Sequence, residues 1–169
     1  MFLRRAEVLV KASIIVAMAL AMVAASLVTT PRSEAARRSR YNYKKVEKCM
    51  MKKINHRRST HGQRKLNWDP QLGYVARRHA KSMARNATIF HDDDLTSSVT
   101  RWRSLGQNVG TGKRCRGLFN AFWDSLAHRN NIMGRWRFVG VGSERRGGRI
   151  YVHQVFEHRR NPGNVYSYP

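Results

Sequence analysis

Apolar positions recur along this chain with two different periods, and most periodic stretches are bounded by a turn or cap residue. Val46, Met50 and Ile54 stand at helical spacing among lysines, which predicts a first helix from about Tyr43 that stops before the polar stretch 56–65. Cys49 lies beside its apolar stripe. Asp69-Pro70 then pairs an N-cap with a first helical residue whose missing N–H costs nothing. Behind it Leu72, Val75, Ala76, His79, Ala80 and Met83 form one apolar face, so a second helix runs to about Asn86. His79 sits on that face and reads as a hydrogen-bonded core histidine.

The loop Ile89-Phe90-His91-Asp92-Asp93-Asp94 follows. Its consecutive carboxylates point in different directions and lack the spacing of a calcium loop, so they read as a solvated acidic turn. Ile89 and Phe90 are expected to pin His91 against the body of the fold. Residues 106–110 form a short extended piece between glycines. Leu118, Phe119, Phe122 and Trp123 have helical spacing and predict a short buried helix ending near Ser125, with 127–131 a turn that brings His128 back beside it. Residues 138–142 and 150–156 are apolar, β-branched runs around Gly147-Gly148, the pattern of a hairpin. Both faces of these strands are apolar, so helices should cover the sheet on both sides. Gly140 and Gly142 leave room for one to approach closely.

Composition changes this picture at the two ends. Arg4, Arg5 and Lys11 flank an uncharged apolar run over 12–28, and Ser33-Glu34-Ala35 ends it with small residues. This reads as a signal peptide, residues 1–35, with an uncleaved N-terminal anchor as the alternative. Residues 36–44 form a basic linker, and 158–169 a loose polar tail. Export leaves Cys49 and Cys115, which most simply form one disulfide in an oxidising compartment. Closing so long a loop would stabilise the fold by about 4 kcal/mol. The alternative is two free thiols, a liability outside the cytoplasm.

The remaining blocks are Leu66-x-Trp68-Asp69, Ala76-x-x-His79-Ala80-x-x-Met83-Ala84, His91, Gly106-Gln107-Asn108-Val109, Trp123-x-Ser125, His128-Arg129-x-Asn131-Ile132, Val139-Gly140-Val141-Gly142 and Val152-x-Gln154-x-Phe156. In order and spacing this series resembles the bacterial SCP-like branch of the CAP superfamily, which includes cysteine-rich secretory proteins, antigen 5 and plant pathogenesis-related proteins. It covers residues 45–157. The resemblance implies an α+β fold, a three-layer α-β-α sandwich whose central sheet ends in the C-terminal antiparallel hairpin. It also implies a cleft with two histidines, usually beside two acidic residues. His91 matches the first histidine and His128 the second. Gln107 stands where the family has Glu, and Ser125, or else Asp124, falls at the remaining polar position.

The exchange at Gln107 changes the chemistry. Two imidazoles and a carboxylate would hold Zn²⁺ with an open position for water. An amide removes the negative charge and the general base while adding donors. No cofactor is therefore required, and any zinc held by His91 and His128 should be weak. The resemblance together with the charge, 33 Lys+Arg against 10 Asp+Glu for a net +23, points to a secreted or envelope protein. Such a protein would bind anionic envelope polymers or lipids through its cleft and cationic surface. The alternative is a metal-assisted extracellular hydrolase using His91 and His128, with Asp92 or Asp124 as base. Trp102, Trp136 and Tyr151 among arginines raise nucleic-acid binding, but a secretion signal and dispersed charge argue against sequence-specific recognition. Trp68, Trp123 and Trp136 read as core residues. Membrane contact is expected only through an uncleaved leader or surface adsorption, and the protein is expected to be a monomer.

Overall fold

The protein is seen here as a computed structural model that describes residues 44–159. The expected signal peptide over 1–35, the expected linker as far as residue 43 and residues 160–169 lie outside the described residues. In chain order the elements are α1 (Lys45–Thr60), β1 (Asn67–Trp68), α2 (Pro70–Asn86), α3 (Leu95–Ser98), β2 (Trp102–Gly112), α4 (Cys115–Asp124), α5 (Leu126–Met133), β3 (Phe138–Arg146) and β4 (Arg149–Arg159). The strands form one sheet in the order β1-β3-β4-β2, with β1 parallel to β3 and the other pairs antiparallel. Gly147 and Gly148 both adopt positive φ (55° and 71°), which suits the two-residue turn between β3 and β4.

Alternation along β4 sorts the core into two layers. Ile150, Val152 and Phe156 join Met50, Ile54, Phe119, Phe122 and Ile132 on the face covered by α1, α4 and α5. Tyr151 and Val155 point the other way, towards Leu72, Ala76, Ala80 and Met83 of α2. The α-β-α sandwich implied by the resemblance is thus present. Asp69 caps α2 as expected, accepting from the N–H groups of Gln71 (2.8 Å) and Leu72 (3.3 Å). On β3, a Cβ at Gly140 would collide with the carbonyl carbon of Leu72, and one at Gly142 with that of Ala76. Helix α2 therefore lies directly on the backbone of β3.

Cys49 and Cys115 form a disulfide that joins α1 to the first residue of α4, with Cα atoms 6.5 Å apart. Buried Glu47 accepts from the Arg77 guanidinium at 2.8 and 2.6 Å and so ties α1 to α2. Trp68, Trp123 and Trp136 all pack against the larger core cluster.

Several boundaries differ from the sequence expectation, β2 among them, since it runs over Trp102–Gly112 and not 106–110 alone. Helix α1 continues to Thr60 because its next inward position is Arg58, not an apolar residue. That guanidinium is satisfied by the carbonyls of Arg64 (2.8 Å), Ile132 (2.8 Å) and Gly134 (2.9 Å). Residues 126–133 are helix α5, not a turn; only Ile132 is buried there, so no apolar period marks it. Lys44 and His158–Arg159 belong to the fold. The Lys44 ammonium donates to Ser143 O (2.7 Å) and Glu144 Oε2 (2.9 Å). Strand β4 runs on to Arg159, which pairs with Asp69 and covers the Phe138 ring at 4.2 Å.

Glu157, on the α2 face of β4, is fully buried. Its Oε2 accepts from Arg159 Nε at 3.1 Å, while Oε1 has no partner. Burial outweighs that one contact and pushes its carboxyl up to about 8. The folded state therefore holds this proton more tightly than the unfolded chain, and stability is lost as pH rises from the ordinary carboxyl value towards 8. Glu157→Gln should raise stability by about 1–3 kcal/mol at pH 8 and leave it unchanged near pH 4, measured by urea unfolding at both pH values. In the same assay Gly142→Ala should cost on the order of 3 kcal/mol, because the new methyl meets backbone. Gly117→Ala, with nothing within 4 Å of its Cβ, should be neutral or slightly stabilising.

Candidate functional site

The site lies along β2, an edge strand that runs between the helical layers. Asn108 turns towards α5, where its Nδ2 donates to His128 O and to Gln154 Oε1, both at 3.1 Å. Asn131 Nδ2 in turn donates to Gln107 O and Asn108 Oδ1, both at 2.9 Å, and Trp136 Nε1 donates to Asn131 O at 2.6 Å. This amide ladder holds α5, and with it His128, against the sheet.

Gln107 turns to the α2 side, and both ends of its amide are engaged. Oε1 accepts from Asp92 N at 3.0 Å, Nε2 donates to Asp92 O at 3.2 Å, and His153 Nε2 lies 3.0 Å from Oε1. Since Oε1 accepts, His153 carries its proton on Nε2, and its Nδ1 is left buried without a partner. Burial above all, and then the neighbouring His79 and His91, push the pKa of His153 well below the usual histidine value. His79 lies over it with ring centroids 4.7 Å apart and has its Nε2 2.7 Å from Phe90 O. The hydrogen-bonded core histidine read at 79 is what the structure has.

His91 is exposed, as are Ile89 (47%) and Phe90 (37%), so apolar side chains do not pin it. The loop is fixed through backbone instead: Phe90 O is held by His79 and both polar groups of Asp92 by Gln107. His128 lies edge-on to Phe122 at 5.1 Å, with a buried Nδ1 that has no partner. Its pKa is lowered by burial first and by His91 second. Electrostatics thus link His91 to both His128 and His153. Gln107 fixes the loop that carries His91, and its strand is bonded to the helix that carries His128. No contact brings Ser125 to the group: it caps the junction of α4 and α5, and its hydroxyl makes no hydrogen bond among the described residues. Asp124 is exposed at the end of α4.

An open groove of about 550 Å³ adjoins this cleft, lined by Arg78, His79 and Arg85 of α2 and by His91, Asp92 and Asp93. Among the described residues no three His, Cys, Asp or Glu side chains gather closely enough to hold a metal ion. Sequence reading passed over His153, hidden in an apolar strand, and gave no role to Asn108, Asn131 and Gln154. The signal was there: polar amides and an imidazole stand at inward positions where a sandwich needs apolar residues.

A mixed sheet between two helical layers, with a histidine cleft along one edge strand, defines the architectural class. The profile of the CAP, cysteine-rich secretory protein family matches residues 51–157, and the chain belongs to that family. An outer surface protein from Borrelia burgdorferi is similar in structure at a TM-score of 0.65 and 17% identity, over 71% of this chain and 97% of that one. An extracellular SCP-domain protein from Bacillus anthracis gives 0.60 at 22% identity, over 68% of this chain and 40% of its own. A cysteine-rich secretory protein from Staphylococcus aureus gives 0.56 at 19%, over 68% and 38%. This chain therefore spans less than half the length of the latter two, and at these identities the likeness shows the fold. No curated protein sequence matches the chain.

Removing the charge of His91 should raise the pKa of His128. His91→Ala should shift the His128 imidazole titration upwards, read by NMR, yet leave it below the ordinary histidine value because burial is the larger cause.

Proposed function

We propose that this is a secreted, non-catalytic CAP-domain protein, monomeric, that binds a lipid-like or anionic envelope ligand through its two-histidine cleft and cationic surface. The observation that carries this reading is the engagement of Gln107. Its amide holds both backbone groups of Asp92 and meets the His153 N–H. It therefore supplies neither a general base nor a third anionic ligand beside His91 and His128. The Asp92 carboxylate is also directed inwards: Oδ1 accepts from Asp94 N at 3.2 Å, and Oδ2 lies 3.9 Å from His79 Nδ1. Two imidazoles without a carboxylate make a weak zinc site and leave a metal-bound water without a neighbouring base. The signal-peptide pattern, and relatives described as outer surface or extracellular proteins, support a place outside the cytoplasm.

Calorimetric zinc titration of the mature protein tests the reading. The wild type should bind more weakly than micromolar, and Gln107→Glu, which restores a carboxylate, should bind at least about tenfold more tightly. Micromolar or tighter binding by the wild type, lost in His91→Ala/His128→Ala, would sink the non-catalytic reading and restore the hydrolase.

A further inference from the structure

Basic residues are dispersed along the chain, and several long stretches lack carboxylates; two of these meet on one surface. No carboxylate occurs in residues 48–66 or 109–123. The Cys49–Cys115 disulfide places these two segments side by side, so that Lys48, Lys52 and Lys53 of α1 share one surface with Lys113, Arg114 and Arg116 at the start of α4. Lys45, Lys48 and Lys52 are exposed on the outer face of α1, and none of the three meets a carboxylate among the described residues. The one acid within α1, Glu47, points inwards and is matched by Arg77.

Aromatic residues of α4 hold the inner edge of this surface in place. Arg57 lies over the Trp123 ring at 4.7 Å and Lys53 over Phe119 at 5.6 Å, while the His61 ring packs beside Trp123 at 5.2 Å. Cations laid on rings lose less freedom when an anion arrives than free side chains would. Residues four apart on a helix are about 6 Å apart along its axis, and α1 is about 24 Å long. The surface is thus a straight basic strip of several successive charges.

We propose that the α1–α4 face binds a linear, base-free phosphodiester chain such as a poly(polyol phosphate). Three features select this partner. The charges are unneutralised and run in line, as a polymer of regularly spaced phosphates requires. The large hydrophobic residues exposed on the described surface are Tyr74, Ile89, Phe90 and Leu126, none of them on α1 or α4, so the face lacks the apolar stripe of a lipid-anchoring helix. The aromatic rings are covered by Arg57, Lys53 and His61, so no bare platform is offered to a stacking base. The proposal deepens the cationic-surface part of the reading above and rests on it for the class of partner; the cleft takes no part.

Binding of poly(glycerol phosphate) to the mature protein, followed by fluorescence anisotropy from 0.05 to 0.3 M salt, tests it. Lys48→Gln/Lys52→Gln should weaken binding at least tenfold at 0.15 M salt and lower the slope of log K against log salt by about 1.4, at about 0.7 per lost phosphate contact. Its melting temperature should match the wild type, since both side chains are exposed. Arg103→Gln/Arg145→Gln removes the same charge elsewhere and should change affinity less than threefold, as should His91→Ala/His128→Ala. An equal loss in the arginine control would overturn the site in favour of net charge alone, and a loss confined to the histidine variant would move binding to the cleft. An oligothymidylate of equal phosphate number binding tenfold more tightly would overturn the partner in favour of nucleic acid. Phosphatidylglycerol vesicles bound through Lys48 and Lys52 while the free chain is not would overturn it in favour of a lipid surface.

Discussion

The direct seating of α2 on the backbone of β3 is the constraint on which the rest of this structure depends. Gly140 and Gly142 leave no side chain between helix and strand, and each would drive a Cβ into helix backbone. Gly142 is paired in register with His153, so the approach of α2 at that level sets His79 above His153. From His79 the contact passes to Phe90 O, and from His153 to Gln107 and so to Asp92. The loop bearing His91 is therefore positioned by a chain of contacts that begins at two absent side chains. The same closeness excludes water from His153, which is why its imidazole is held neutral.

Much of this was legible in the sequence, for reasons that can be named. Helix α2 announces itself because Asp69, Pro70 and a regular apolar face agree, and the hairpin because two glycines separate β-branched runs. Helix α5 is hidden because it is held by polar contacts: its inner surface is Asn131 and the backbone of His128, bonded to Asn108, with Ile132 alone buried. The last turn of α1 is hidden for a related cause, a buried arginine satisfied by three carbonyls where a periodic reading looks for leucine or isoleucine. Of the site, His91, Gln107 and His128 were reachable through the resemblance. His153 was not, since an imidazole inside an apolar strand is read as an interruption of the strand.

The amide at position 107 is integrated into the fold, and not merely a carboxylate lost. Its Nε2 donates to Asp92 O, a bond that a carboxylate oxygen at that place would replace with repulsion between two acceptors. Without a cation to neutralise it, a glutamate there would have to turn away or carry a proton, and the loop with His91 would lose one of its three backbone anchors. In the metal-free chain a well-placed His91 loop and a free anionic ligand at position 107 are in competition, which a bound cation would relieve. The sequence has taken the fixed loop.

Charge divides the surface in the same physical sense. Buried Glu47 and Asp69 are matched by Arg77 and Arg159, Glu144 pairs with Lys44, and Glu157, buried beside Arg159, has its carboxyl raised to about 8. Among the described residues, the acidic side chains left unmatched by Lys or Arg are therefore Asp124 and the run from Asp92 to Asp94 beside the groove. An anion approaching from solution meets cations without counter-charges along α1, but carboxylates mixed with Arg78 and Arg85 at the groove. With exposed Ile89 and Phe90 beside it, the cleft suits the lipid-like half of the proposed ligand class. The anionic half belongs on the helix face. The proposal thus assigns two ligands of different chemistry to separate surfaces, neither of which borrows a side chain from the other.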